Sequence, residues 1–156
     1  MKPLIAGCVA ALFALAPAAS ALAHHSLANH DTTKAVRVKG MIVQFNKINP
    51  HSFIYVEERL ADGQIRRWAV EGPGIFQLQR KSLDNLVNVG DVVEACGYPP
   101  KENTVWQIAS ADGKASLAGR LLTAELIVLP DGRKQEWEDY GFHHCFAPDF
   151  RDRHSK

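Results

Sequence analysis

The clearest pattern in this chain is an alternation of apolar and polar residues, which is typical of strands with one buried face. In residues 34 to 45, KAVRVKGMIVQF, the apolar positions change parity near Gly40. Such a change predicts a bulge or a sharp bend, a feature that lets a sheet coil into a barrel. Two further strands are predicted in HSFIYVEE (51 to 58) and QIRRWAVEG (64 to 72), separated by the Asp-Gly of a hairpin turn.

A short helix is predicted where the strand pattern stops, in GPGIFQLQRKSLDNL (72 to 86). Pro73 can occupy the first helical turn, where its missing N–H is not needed. An irregular loop is the alternative for this segment. The predicted apolar stripe of the helix consists of Ile75, Phe76, Leu78 and Leu83.

Two later segments return to the strand pattern, VGDVVEACGYPP (89 to 100) and RLLTAELIVLPDGR (120 to 133). The resulting order, β-β-β-α-β-β, is the connectivity of the OB-fold, a small five-stranded Greek-key barrel. We therefore predict an all-β fold with one short helix and an OB-like barrel, with an open meander as the alternative. In the last segment one face is predicted to carry Leu122, Ala124, Leu126 and Val128.

The N-terminal segment has the parts of an export signal. Lys2 supplies the positive charge, Leu4 to Leu15 form a short apolar stretch, and residues 21 to 23 match an A-x-A cleavage site. The apolar stretch is too short to span a bilayer, so no stable membrane span is expected. A lipoprotein-like box ending at Cys8 stands at the beginning of that stretch, which disfavours lipid attachment. We predict that residues 1 to 23 are removed and that the protein is periplasmic or secreted.

The mature chain would be one small, nearly neutral domain. Removal of 23 of the 156 residues leaves 133, enough for one hydrophobic core but hardly for two. Loss of Lys2 leaves 17 basic against 17 acidic residues, with no basic stripe, so nucleic acid is not an expected partner. We assign residues 24 to 136 to the barrel and residues 137 to 156 to a tail. The tail aromatics are expected to dock on the barrel: Trp137, Tyr140, Phe142, Phe146 and Phe150.

Signal cleavage would leave two adjacent histidines at the new N-terminus. His24 would then carry a free α-amine beside its imidazole, with His25 next and His30 five residues later. An amine with a pKa of about 8 and imidazoles with pKa values of about 6.5 are nitrogen donors close to neutral pH. Such ligands suit Cu(II), and also Zn(II). The alternative is a flexible polar N-terminus in which the histidines have no role.

Another candidate is Asn49-Pro50-His51, between the first two predicted strands. In an OB-fold this loop is one of those that commonly carry ligands. Pro50 keeps Asn49 extended. His51 would present its imidazole toward His24 and His25 and complete a site with three or four nitrogen ligands. The alternative is a simple turn after which His51 only begins a strand.

Two residues of the third predicted strand belong to the same ligand-loop hypothesis. Trp68 is a candidate platform for a ligand, although a single aromatic residue on an alternating strand more often fills a barrel core. Glu71 is a candidate metal ligand or base, although a carboxylate at a strand end is more often only solvated.

Cys96 and Cys145 are the two cysteines left after signal removal. In an oxidising compartment they are expected to form a disulfide. Cys145 also follows His143 and His144, so a second metal site with thiolate and imidazole ligands is an alternative. Free thiols are the third possibility.

Several short motifs follow one another along the chain: AHHS at 23 to 26, NPH at 49 to 51, W-x-VEG at 68 to 72, VGD-x-V at 89 to 93 and LPDGR at 129 to 133. Their order and spacing resemble a bacterial family of small exported proteins catalogued as a domain of unknown function. The resemblance covers about residues 23 to 133. It implies export and one small β-rich domain, and it carries over no function and no catalytic residue. The tail after residue 133 is extra relative to that family.

The sequence favours a binding protein over an enzyme. It contains no nucleophile elbow and no glycine-rich phosphate loop. A copper site at an N-terminal histidine could in principle support oxidation. The first hypothesis is a protein that sequesters or delivers copper or zinc through His24, His25 and His51. The second is a metal-independent OB-like module that recognises a protein or a small molecule.

Overall fold

Strands are the predominant secondary structure of the protein in this computed structural model, which describes residues 27 to 102, 105 to 107 and 118 to 146. One short helix and two single turns of 3-10 helix, Leu27–Asn29 and His144–Phe146, accompany the strands. The elements are β1 (Val36–Asn46), β2 (His51–Arg59), β3 (Ile65–Pro73), α1 (Ile75–Arg80), β4 (Val92–Tyr98), β5 (Val105–Gln107), β6 (Ala118–Val128) and β7 (Lys134–Glu136).

Five of these strands close into a barrel. Strand β1 pairs antiparallel with both β2 and β4, and β2 pairs antiparallel with β3. The ring is completed because β6 pairs antiparallel with β4 and parallel with β3. The short strands β5 and β7 pair with the two ends of β6. This is the OB-like barrel predicted from the strand order, and the predicted fold class is confirmed.

The change of parity in the first strand reflects its two partners. Residues 36 to 41 of β1 pair with β4, and residues 41 to 46 pair with β2. Strand β1 changes its pairing partner next to Gly40, where a side chain would overlap the Glu57 backbone. The register with β2 shifts between Ile42 and Gln44, so the bulge lies just after the glycine. The prediction of a bend near Gly40 agrees with this geometry.

The helix differs from its prediction. Pro73 is the last residue of β3, opposite His51, and not a residue of the first helical turn. A strand end suits proline because its missing N–H removes no further ladder bond. The predicted apolar stripe is also only partly correct. Leu78 and Leu83 are buried, whereas Phe76 is 74% exposed.

The predicted face of the last long strand is wrong for two of its four residues. Leu122 and Ala124 belong to the main core, but Leu126 and Val128 pack beside Cys96 and Cys145 outside it. A register shift against β4 causes this change, because Cys96 pairs with Leu126 while the next residue pairs with Ala124. The extra residue in β6 is Glu125, which has no partner in β4. Beyond this bulge the residues that face the main core change from even to odd positions, so Ile127 faces it in place of Leu126.

The first tail residue is part of the barrel core. Trp137 is fully buried, and its backbone N–H donates to the Glu125 carbonyl oxygen at 2.8 Å. Further along, Phe142 and Phe146 are partly exposed, while Phe150 lies outside the described residues. The predicted docking of the tail aromatics therefore applies most fully to Trp137.

Within the described part of the chain, no helix has the length and apolar character needed to cross a membrane.

Candidate functional site

Two residues singled out from the sequence, His51 and Glu71, meet on the outer face of the β2–β3 hairpin. His51 begins β2, and Glu71 lies near the end of β3. Phe53 is directly opposite Glu71. His51 is two residues before Phe53 on the same face of β2, so it is the diagonal neighbour of Glu71. His51 Nδ1 lies 3.2 Å from Glu71 Oε1, and both side chains are 17% exposed. The strand pairing therefore brings an imidazole and a carboxylate together near the surface.

Thr123 and His30 extend this pair into a chain of polar contacts. Thr123 of β6 is opposite Glu71, and its hydroxyl donates to Glu71 Oε2 at 2.9 Å. His30 Nε2 lies 2.9 Å from the same hydroxyl oxygen. We call these four residues, His30, His51, Glu71 and Thr123, the His–Glu cluster. Both carboxylate oxygens of Glu71 have partners within it.

The contacts indicate which nitrogen of His30 carries a proton. A threonine hydroxyl has one hydrogen, and here that hydrogen points to Glu71. The hydroxyl oxygen therefore accepts from His30 Nε2–H, which leaves the lone pair on Nδ1. Among the described residues His30 Nδ1 is buried without a hydrogen-bond partner. Burial lowers the pKa of His30, although the nearby Glu71 carboxylate acts in the opposite direction.

His30 is held in place by backbone contacts as well. Its N–H donates to the Leu27 carbonyl at 2.8 Å, and it forms an isolated bridge with Pro100. The next residue, Asp31, donates its N–H to the Pro99 carbonyl at 2.9 Å. The segment before β1 is thus fastened to the end of β4, beside the His–Glu cluster.

The other predicted ligand-loop residues have different surroundings. Asn49 and Pro50 are exposed, are joined by a cis peptide bond, and pack against Gly74, where a side chain would overlap both residues. Trp68 lies in the barrel core, and its Nε1–H donates to Glu58 Oε2 at 2.8 Å. The structure therefore joins His51 to Glu71 but leaves Trp68 apart from them.

Of the three alternatives for the cysteines, the structure contains the predicted disulfide. Cys96 and Cys145 are bonded, with Cα atoms 5.8 Å apart, and both are fully buried. A sulfur in a disulfide cannot at the same time be a thiolate ligand, so the His143, His144 and Cys145 metal site would require the reduced protein. Both histidines of that site are exposed beside the disulfide.

A buried carboxylate, Glu125, holds the tail in place. Its Oε1 accepts from the N–H of His143 at 2.6 Å, and its Oε2 accepts from the N–H of Cys145 at 3.1 Å. The Tyr98 hydroxyl also donates to Oε2, at 3.1 Å. Burial raises the pKa of Tyr98, and the Glu125 charge adds to the effect, which keeps the hydroxyl protonated as a donor. Glu125 therefore has a structural role at the disulfide.

Neither His30 nor Thr123 was predicted from the sequence to be a site residue. The signal for Thr123 was a polar residue inside the apolar run LLTAELIVL. The signal for His30 was its place in the histidine-rich start. His24 and His25 themselves lie outside the described residues. Among the residues that the structure describes, no group of three or more His, Cys, Asp or Glu side chains is arranged to hold a metal ion.

Acidification is expected to destabilise the fold through His30. Its pKa in the folded protein is below the ordinary value of 6.5, so the unfolded chain takes up the proton first as the pH falls. The free energy of unfolding should therefore be unaffected by His30 above about pH 7 and decline as the pH falls through 6.5 and below. Urea unfolding of the protein and of His30→Gln between pH 7.5 and 5.5 measures this contribution.

The matched control is His144→Gln, which removes an exposed histidine of the tail. The decline should become shallower in His30→Gln and stay unchanged in His144→Gln. Equal pH dependence in His30→Gln and the unmodified protein would contradict the prediction.

Among solved structures, the chain is similar to the mitochondrial single-stranded DNA-binding protein Rim1 of S. cerevisiae, with 15% sequence identity and a TM-score of 0.42. The similarity covers 62% of this chain and 93% of that chain. No curated protein matches the sequence significantly.

A family model described as a family of unknown function, DUF6152, matches residues 12 to 108. The match contains four of the five motifs on which the sequence resemblance rests, and the LPDGR motif lies beyond it. Since the match covers more than half of the chain, this protein belongs to the DUF6152 family of unknown function.

Proposed function

We propose that the protein is an exported, periplasmic binding protein whose mature form holds Cu(II), or else Zn(II), through His24, His25 and His51. The observation that carries the proposal is the contact between His51 and Glu71. Histidines that bind metal commonly direct their other ring nitrogen to a carboxylate, which fixes the tautomer and the orientation of the ring. With Nδ1 facing Glu71, Nε2 is the ligating nitrogen of His51.

The attachment of the N-terminal segment supports the same proposal. His30 contacts Thr123 within the His–Glu cluster, and its backbone is bonded to neighbouring segments. His25 is five residues earlier, and five residues span at most about 18 Å. The attachment of His30 is therefore compatible with His24 and His25 reaching the cluster that contains His51.

Signal cleavage would add the remaining ligand. The α-amine of His24 exists as a free group only after cleavage, and it can then form a chelate with the His24 imidazole. Nitrogen ligands bind Cu(II) more tightly than the other divalent ions of the first transition row, and they also suit Zn(II). Export and metal binding are linked in this proposal because the site is completed by the export machinery.

The first test is a Cu(II) titration of two preparations, one beginning at His24 and one with an added Gly before it. The added residue moves the free amine away from His24 and leaves every side chain unchanged. Tight, stoichiometric binding with the native start alone is the expected result. Equal and weak binding by both preparations would contradict the proposal and favour a metal-independent interaction module.

Variants of the barrel residues test the role of the cluster. Glu71→Gln keeps the size of the side chain and removes its charge, and is expected to weaken Cu(II) binding about 10- to 100-fold. His51→Ala should weaken it at least as much. His144→Ala removes an exposed histidine of the tail and should have no effect. Unchanged affinity in His51→Ala would exclude His51 from the site, and a parallel Zn(II) titration identifies the preferred metal.

A further inference from the structure

A cavity of about 390 Å³ lies at the opposite end of the β2–β3 hairpin from the His–Glu cluster. Its lining includes Arg37, Glu58, Arg66, Trp68 and Arg120. We call this group of residues the arginine mouth. A second cavity, of about 350 Å³, adjoins it and shares Arg66 and Arg120.

The strand register explains why these side chains converge. Trp68 faces the barrel core, and Arg66 precedes it by two residues on the same face of β3. Glu58 is directly opposite Arg66 on β2, and Arg120 is directly opposite Trp68 on β6. Three charged side chains, those of Glu58, Arg66 and Arg120, therefore end the inner face of the barrel at one opening.

The charge of the arginine mouth is positive. Three arginine residues line the cavity, against one acidic residue, Glu58. Glu58 accepts from Trp68 Nε1–H at 2.8 Å and lies 3.8 Å from Arg66. Arg37 is bonded to Glu94 and to the Cys145 carbonyl oxygen. Within the described ranges, no carboxylate forms an ion pair with Arg120.

The walls between these charges are apolar. Val36, Leu60 and Pro99 line the cavity together with Trp68. The volume falls within the range of about 300 to 1,000 Å³ that is typical of small-molecule sites, which often occupy the mouths of β-barrels. Arginine is well suited to bind carboxylate and phosphate groups because its planar donors match their oxygen atoms.

We infer that the arginine mouth binds a small organic molecule with one oxyanion head group, carboxylate or phosphate, and an apolar body. Arg120 and Arg66 bind the head group, and the apolar body packs against Trp68 and Leu60. The arginine mouth and the His–Glu cluster use different residues, so anion binding and metal binding can be tested separately.

The test uses phenyl phosphate and benzoate as probes and benzyl alcohol as a neutral analogue. Binding is followed by the ¹H–¹⁵N signal of the Trp68 indole, identified by its loss in Trp68→Phe. A saturable shift with phenyl phosphate or benzoate, and none with benzyl alcohol, is expected. The tighter of the two anions identifies the head group. No saturable shift with either anion would overturn the inference, and so would inorganic phosphate binding as tightly as phenyl phosphate.

Two matched variants locate the contact. Arg120→Gln should weaken binding of the anionic probe about tenfold, as expected for the loss of one charge-assisted hydrogen bond. Arg80→Gln removes the same charge from the exposed end of α1 and should leave the affinity unchanged. Both residues are exposed, so neither change should unfold the barrel. Equal weakening by both variants would mean that net charge alone attracts the probe. That result would overturn the inference that the arginine mouth is the binding site.

Discussion

Replacement of Trp137 with Ala is expected to lower the free energy of unfolding by about 3 to 5 kcal/mol. Trp137 is fully buried in the main core and lies 6.4 Å from the Phe45 ring, measured between centroids. Gly72 lies against its indole nitrogen, and a side chain at that position would overlap the ring. Truncation to Ala leaves a large cavity in a closed barrel that has little freedom to collapse.

Urea unfolding at neutral pH measures the effect of Trp137→Ala. Phe142→Ala is the control, because Phe142 belongs to the same tail but is 42% exposed, and a change of about 1 kcal/mol or less is expected. Gly72→Ala should also destabilise the protein, since its new methyl group competes with the indole. Similar small losses in Trp137→Ala and Phe142→Ala would contradict the assignment of Trp137 to the core.

Removal of the disulfide is expected to lower the free energy of unfolding by about 4 kcal/mol. Cys96 and Cys145 are separated by 49 residues, and the bond limits the freedom of the unfolded chain over that whole loop. The tail keeps other contacts in the folded state, including the bonds from His143 and Cys145 to Glu125. The barrel should therefore remain folded, at lower stability, in the reduced protein.

Unfolding with and without reductant measures this effect, and mass spectrometry detects the two hydrogens added on reduction. A Cys96→Ala/Cys145→Ala variant is the control, because reductant should not alter its stability. Equal stability of the oxidised and reduced protein would contradict the prediction. The reduced protein also allows a direct test of metal binding by His143, His144 and the free Cys145 thiol.

The apolar pattern was sufficient to predict the strand order and the barrel. Local alternation marks each strand, and turn residues mark where each one ends, so both signals can be read from neighbouring residues. The parity change at Gly40 is a local signal of the same kind, and it indicated the position at which β1 changes partner. His51 and Glu71 were also among the candidate residues, because both belong to short motifs, NPH and W-x-VEG.

Three features depended on distant residues and were predicted wrongly or only in part. Pro73 ends β3 because it is opposite His51, and a helix start was equally compatible with its local sequence. The face of Leu126 depends on the extra residue in β6, which is visible only in the pairing with β4. Trp137 belongs to the core because Gly72 leaves room for its ring, although 64 residues lie between them in the sequence.

The sequence by itself determined the strand order, the short helix and the set of residue types available for a site. The tertiary structure decided which of them meet. The parallel pairing of β3 with β6 places Thr123 beside Glu71, and the bridge to Pro100 brings His30 to the same place. The physical reason is that pairing between distant strands depends on the closure of the whole barrel, whereas periodicity reports only which residues share a face of one strand.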